Sequence, residues 1–304
     1  NYSLKGHAYL GKKDLAQARK NFERALALEP TLVSAAVRLA AIDLQEKNFS
    51  AARGRYQAIL DKDNKNVPAM VGLAELAALE KKESEYLAWL ERAAKASPAA
   101  LVPRAFLANY YLGKNQLQKA LTLAREAVTG NPGSTDALEL LGRMQLAAGE
   151  KENAVATYTK LAAIAPKSPT AQYDLAKAHA AMADEKAMRG ALLKALELKP
   201  DYSDALAALS ALERRTGKQT EAIRLARKLQ ASVADSPRGV ALEGGALMVE
   251  KRYTEATSAY EKALAKGKDS ELVVKQHLAL LRSGNASKAD DMLLGWLRAH
   301  PQDQ

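Results

Sequence analysis

The chain has no cysteine, and aromatic residues make up only 5% of its 304 positions. Without cysteine there is no disulfide framework and no thiolate metal site. With so few aromatic rings, the interior has to be built mainly from Ala and Leu, which suits close helix packing. No apolar run approaches the ~20 residues of a membrane-spanning helix. No secretory signal pattern is present either. Charge is not scarce, and the net value is +10. It is spread without a run of five like charges. That describes a solvated basic surface, not the clustered patch a nucleic acid requires, so no nucleic-acid partner is expected.

Catalytic patterns are also missing. His7, His179, His277 and His300 are too far apart in sequence to pair at metal-ligand spacing on one helix. Gly217-Lys218-Gln219-Thr220 looks like part of a phosphate loop. It has Leu212 where the earlier Gly belongs and no Ser or Thr directly after the Lys. Asp and Glu are plentiful but single out no general acid/base pair. We therefore expect no catalysis, no metal and no cofactor.

What is present is a period. Ala18, Ala52, Tyr86, Ala120, Ala154, Met188, Ala222 and Ala256 follow one another at steps of 34 residues, and Ala289 comes one residue early. A small residue precedes most of these landmarks at a fixed distance: Gly6, Ala40, Ala74, Ala108, Gly142, Ala176, Ser210, Gly244. Pro30, Pro98, Pro132, Pro166 and Pro200 recur after them, and Pro301 closes the series. Proline cannot continue a helix, so each marks the end of a helical segment. Within a period the apolar residues keep helical spacing, as in Val37, Leu39, Ala40, Leu44 and then Ala52, Tyr56, Ile59, Leu60. We read helix A of the second period as Val33–Gln45 and its helix B as about 50–60. Thr220-Glu221 and Thr254-Glu255 read as caps followed by an acid.

Together these residues resemble the tetratricopeptide repeat (TPR) signature over essentially the whole chain. The resemblance implies an all-α fold, a right-handed α-solenoid superhelix of about nine tandem helix-turn-helix units. We expect one domain over 1–304. Its units lie near 1–32, 33–66, 67–100, 101–134, 135–168, 169–202, 203–236, 237–270 and 271–304. The small landmarks then face the partner helix of their own unit. Tyr86 and Met188, where Ala is usual, should change the local helix crossing. Ala234 and Lys268 stand where Pro is usual and should alter curvature. The missing residue before Ala289 is assigned to the inner turn at Arg282-Ser283-Gly284-Asn285.

In such arrays the A helices line the concave groove, with an inward pair four residues apart in each. Along this chain the pairs run from Ser3 and His7 through Val37 and Ala41, Val71 and Glu75, and Ala105 and Asn109. They end at Lys275 and Ala279. The expected partner site is a polar middle of Asn109, Glu139, Arg143, Tyr173 and Lys177, followed by a small-residue stretch of Ala207, Ala211, Ala241 and Gly245. The second stretch leaves room for bulky side chains. A protein or peptide with an acidic or polar centre and an apolar end fits that order. The plain alternative is that Glu139 and Arg143 form an ordinary surface pair and the small residues only permit tight curvature. The Lys/Asn/Arg clamp that grips acidic chaperone tails is absent, since Ser3, His7 and Ala105 hold its places and Asn109 alone matches.

The helix A segments, such as Leu73-Ala74-Glu75-Leu76, also resemble the TPR-repeat lipoproteins of the bacterial PEP-CTERM/exosortase system (PrsT type). That resemblance implies a scaffold for exopolysaccharide production or protein sorting at the Gram-negative envelope, in the periplasm or on the outer membrane. Any membrane attachment would be through a lipid anchor outside this segment. The alternatives are a cytoplasmic adaptor and the recognition arm of a larger enzyme. The chain starts at Asn1, inside the first helix of the frame, and reads as part of a longer array. Its last helix ends apolar, with Leu293, Trp296 and Leu297. Either further repeats cover that face, or the array associates with another molecule, itself included.

Overall fold

One backbone position sets where every helix pair bends. In a computed structural model, which describes residues 1–233 and 237–303, φ is positive at Lys13, Lys47, Lys81, Asn115, Gly149, Ala183, Gly217, Lys251 and Gly284. These are the inner turns between helix A and helix B. Glycine adopts this backbone freely, whereas a Cβ there costs roughly 1–2 kcal/mol. The turn persists in the six units that lack Gly because the packing of the two helices over-determines it.

The described residues contain eighteen α-helices and no strand, which fits nine helix pairs. Contacts divide the chain into two compact units, Asn1–Glu150 and Lys151–Gln304. The first holds α1 (Tyr2–Gly11), α2 (Leu15–Leu28), α3 (Val33–Gln45), α4 (Phe49–Lys62) and α5 (Val67–Leu79). It continues with α6 (Glu83–Ala96), α7 (Leu101–Gly113), α8 (Leu117–Gly130) and α9 (Thr135–Ala147). The second holds α10 (Lys151–Ile164), α11 (Pro169–Ala181), α12 (Glu185–Leu198), α13 (Ser203–Arg215) and α14 (Gln219–Ser232). It continues with α15 (Pro237–Val249), α16 (Tyr253–Lys266), α17 (Ser270–Arg282), α18 (Ala286–Ala299) and a 3-10 turn at Pro301–Asp303. In each unit successive helices pack on one another as a layered stack.

The small landmarks have a steric cause. A Cβ built on Gly6 would lie 2.7 Å from the Phe22 ring, and one on Gly244 would lie 2.9 Å from the Tyr260 ring. Phe22, Tyr56 and Tyr260 are buried, so each ring needs a facing position without bulk. Ser210 sits at the same place and donates its hydroxyl to the Ala222 carbonyl at 2.8 Å. Tyr86 and Met188 are half-buried against cores that contain Ala74 and Ala176 respectively. The Tyr86 ring turns towards Tyr110, with centroids 6.0 Å apart.

Four sequence expectations need correction. First, Asn1 is the cap position before α1, not part of that helix. Second, Thr220 and Thr254 lie inside α14 and α16. The caps are Lys218 and Arg252, which make no side-chain cap bond, because each helix starts two residues after the left-handed residue. Third, the lost residue is not in the inner turn of the last pair. That turn keeps three residues, 283–285, as does 250–252 before it. The turn between α16 and α17 has three, 267–269, where the turn between α12 and α13 has four, 199–202. There Gly267 is nearly fully extended, with φ −166°. Asp269 caps the nitrogen two residues on, at Glu271, in place of the usual three. Fourth, this shifts the last A helix by one position. Val274 and Leu278, both exposed, take the places expected for Lys275 and Ala279, and Ala279 is buried. Ala234, where the sequence suggested altered curvature, lies outside the described residues.

Candidate functional site

The expected groove residues divide between the two compact units. In the first, Arg143 donates from Nη2 to the Asn109 Oδ1 at 2.8 Å, across neighbouring A helices. Arg143 therefore does not form the local pair with Glu139, whose carboxylate has no ion pair among the described residues. These three side chains line a cleft of about 380 Å³ with Leu101, Ala105 and Phe106.

In the second unit, Lys177 is held from two sides. Its Nζ lies 2.6 Å from Asp174, whose side chain is 5% exposed, and 5.4 Å from the centre of the Tyr173 ring. Tyr173 in turn meets Tyr202 edge to face at 5.5 Å. Lys177 neutralises a buried carboxylate, so it serves the fold before any partner, and reversing its charge would disturb the helix itself. Ala207 is buried in the core with Leu206 and Leu209, and Ala211 is half-buried beside it.

Ala241 and Gly245 are where the sequence suggested open space. They line a cleft of about 540 Å³ formed by the A helices α13, α15 and α17 together with Tyr260 of the B helix α16. The adjacent glycines do different jobs. Gly244 must be small because Tyr260 presses on it, whereas a Cβ on Gly245 would meet nothing closer than 3.7 Å. That nearest atom is the Arg214 Cδ, and the Tyr260 hydroxyl follows at 3.8 Å. So a guanidinium stem and a phenol converge on one uncovered stretch of backbone. Met248, Val249, Leu272 and Leu278 supply the apolar walls.

The electrostatics of this cleft favour an anion. Arg214 has no ion pair among the described residues. Arg238 is engaged by Asp204 at 2.7 Å. Among the described residues Lys275 meets Glu271 alone, which is 75% exposed, a pairing worth little in water. Asp269 is occupied in capping α17. Burial pushes the Tyr260 phenol up to about 12, against a smaller downward pull from the Arg214 charge. The phenol thus stays neutral, and its hydroxyl has no hydrogen-bond partner among the described residues. A ligand here would find an apolar trough, one free guanidinium and one free hydroxyl. Sequence reasoning found the two small residues and missed Arg214 and Tyr260. Arg214 lies three residues beyond Ala211, the next position of the same helical face, so extending the inward pair by one turn reaches it.

At the chain's other predicted surface, Leu293 and Leu297 are half-buried, and Trp296 stacks on His300 with centroids 3.9 Å apart. Leu294 is the exposed apolar residue of that helix. Among the described residues no group of three or more His, Asp or Glu is placed to hold a metal ion. No helix among them is long and apolar enough to cross a membrane.

Comparison with known proteins agrees with this architecture. Residues 9–74 and 107–169 each match a family model described as tetratricopeptide repeat. No curated protein sequence matches the chain. Among solved structures, the chain is similar to a thermophilic TPR protein of Thermus thermophilus, at 24% identity and TM-score 0.50, covering 60% of this chain and all of that one. It is similar to a tetratricopeptide repeat protein from Parabacteroides merdae at 16% identity and TM-score 0.50, covering 92% and 97%. It is also similar to pilF of Pseudomonas aeruginosa at 18% identity and TM-score 0.54, covering 66% and 92%.

Proposed function

Because the chain carries tetratricopeptide repeats, we propose that it is a non-catalytic scaffold that captures a peptide segment of a partner on the A-helix face of its second compact unit. The observation that carries this reading is the convergence of Arg214, the open backbone at Gly245 and the free hydroxyl of Tyr260 in one apolar cleft. A segment with a bulky apolar side chain next to a carboxylate matches it, the side chain filling the space over Gly245 and the carboxylate meeting Arg214. A charge-assisted hydrogen bond of that kind contributes about 1.5–3 kcal/mol.

Selection of random dodecapeptides displayed on phage against the immobilised chain tests the reading. Recovered peptides are expected to share an apolar residue beside Asp or Glu. Their affinity is expected to fall at least tenfold with Arg214→Glu, and again with Gly245→Leu, which places a side chain in the trough. Recovered peptides that bind both variants like the parent chain would move the site elsewhere.

We further propose that this scaffold works at the Gram-negative envelope, in exopolysaccharide production or PEP-CTERM protein sorting. What supports this is the resemblance of its helix A segments to the lipoproteins of that system. Mass spectrometry of the mature N-terminus of the native protein, combined with cell fractionation, tests it. An acylated N-terminal cysteine in the membrane fraction is the expected result. An unmodified start in the soluble cytoplasmic fraction would replace it with a cytoplasmic adaptor.

A further inference from the structure

The first compact unit holds a second cleft, of opposite character. It has a volume of about 460 Å³ and is lined by Leu44, Val71, Leu79, Tyr86 and Phe106, with Glu75 as its one charged group. These come from α3, α5, α6 and α7, so three successive repeats build it. The carboxylate of Glu75 makes no hydrogen bond and no ion pair among the described residues. Partial desolvation in the cleft raises its pKa above the usual carboxylate value, although the residue as a whole is exposed. Tyr86 lines the same cleft; burial raises its phenol above the usual value, and the Glu75 charge adds to the rise. Three acids close by in sequence are matched: Glu80 and Glu85 both meet Arg53, and Glu83 meets Lys114. Glu75, itself exposed, is a carboxylate without an ion pair among the described residues at the edge of an apolar cleft walled by Tyr86 and Phe106.

We propose that this recess is an anchor site for a basic side chain of a protein partner, a lysine or arginine flanked by apolar residues. The chemistry is complementary at each contact. The ammonium or guanidinium pairs with Glu75. The aliphatic stem lies along Val71 and Leu79. The Tyr86 and Phe106 rings offer faces to the cation, a contact worth about 0.5–2 kcal/mol depending on desolvation. A cation can pair with Glu75 and an apolar side chain cannot, so the charged ligand is favoured over an apolar one of equal length. The occupant differs from that of the Arg214 cleft, which takes an acid.

The test uses two acetylated and amidated peptides, Ser-Leu-Lys-Leu-Ser and the same chain with norleucine for lysine. Binding is followed by backbone amide NMR shifts of the whole 15N-labelled chain. The lysine peptide is expected to shift the amides of Val71–Leu79 and to bind about tenfold tighter than the norleucine peptide, the lower end of a charge-assisted hydrogen bond. Glu75→Gln is expected to bring the two affinities together while leaving the amide spectrum elsewhere unchanged. Arg214→Glu is expected to leave the lysine preference intact, which keeps the failure of either cleft distinguishable from the failure of the other. Equal affinities in the parent chain, a preference that survives Glu75→Gln, shifts confined to other helices, or no saturable shift would each overturn the assignment.

Discussion

Gly72→Leu is expected to destabilise the chain by about 3 kcal/mol or more, the upper range for overpacking a well-filled core. A Cβ at this position would lie 2.1 Å from Cζ and 2.5 Å from the hydroxyl of Tyr56. Tyr56 is 2% exposed and sits in a core with Ala40, Ala52, Met70 and Leu73. The hydroxyl has no hydrogen-bond partner among the described residues, and burial pushes its pKa up to about 12, so it is wedged by shape and not by polar contacts. Chemical denaturation followed by circular dichroism measures the loss. The double variant Gly72→Leu with Tyr56→Ala should recover a large part of it, because the leucine then fills the space the ring vacates. If the two single effects simply add, the close approach at Gly72 is not the source of the loss. Neighbouring positions on one contact are expected to couple by about 0.5–3 kcal/mol.

The contrast between Gly72 and Gly245 shows what a sequence conveys and what it withholds. Both lie in helix A, where glycine costs roughly 1 kcal/mol relative to alanine. One is forced by a tyrosine, and the other opens a trough. The period of 34 is legible because most of the landmarks from Ala18 to Ala256 are small where two helices touch, Tyr86 and Met188 being the exceptions. That requirement is local and leaves a trace in residue size. The missing residue of the last period is legible as a count but not as a place. Ala289 records the distance between two B helices, and two turns lie within it. The step from Lys251 to Gly284, both with positive φ, assigns the loss to the turn before α17. The clefts were legible only in part. Ala241 and Gly245 announce themselves by size, whereas the isolation of Glu75 depends on which residues three different repeats bring near it. Sequence spacing within one helix carries no information about that.

The same limit applies to the charges that join repeats, and it leads to the second large effect. Arg189→Leu is expected to cost about 3 kcal/mol, the scale of leaving a buried charge without its partner. Arg189 reaches from α12 to α13. Its Nε lies 2.6 Å from Glu213 Oε1, and its Nη2 donates to Glu213 Oε2 at 3.2 Å and to the Thr216 hydroxyl at 3.0 Å. The Glu213 side chain is 5% exposed, and its one other cation among the described residues is Lys218 at 3.6 Å, itself 58% exposed. Without Arg189 that carboxylate stays buried against a flexible surface lysine. The first compact unit repeats the arrangement. Arg19 spans the same 24 residues to Asp43 at 2.6 Å, and Asp43, with a side chain 1% exposed, also takes Arg55 at 2.6 Å. Arg53 bridges similarly to Glu80. The Arg19–Asp43, Arg53–Glu80 and Arg189–Glu213 pairs cross from one repeat to the next, so they belong to the nearest-neighbour interface terms of a linear array. Urea denaturation of Arg189→Leu should therefore show a lower midpoint and a broader or divided transition, as the two neighbouring repeats lose cooperativity. Arg189→Leu with Glu213→Leu removes both charges and should regain most of the stability, since an apolar pair of similar volume replaces a buried ion pair at little cost. A single variant that melts within about 1 kcal/mol of the parent chain would mean that Lys218 alone satisfies Glu213.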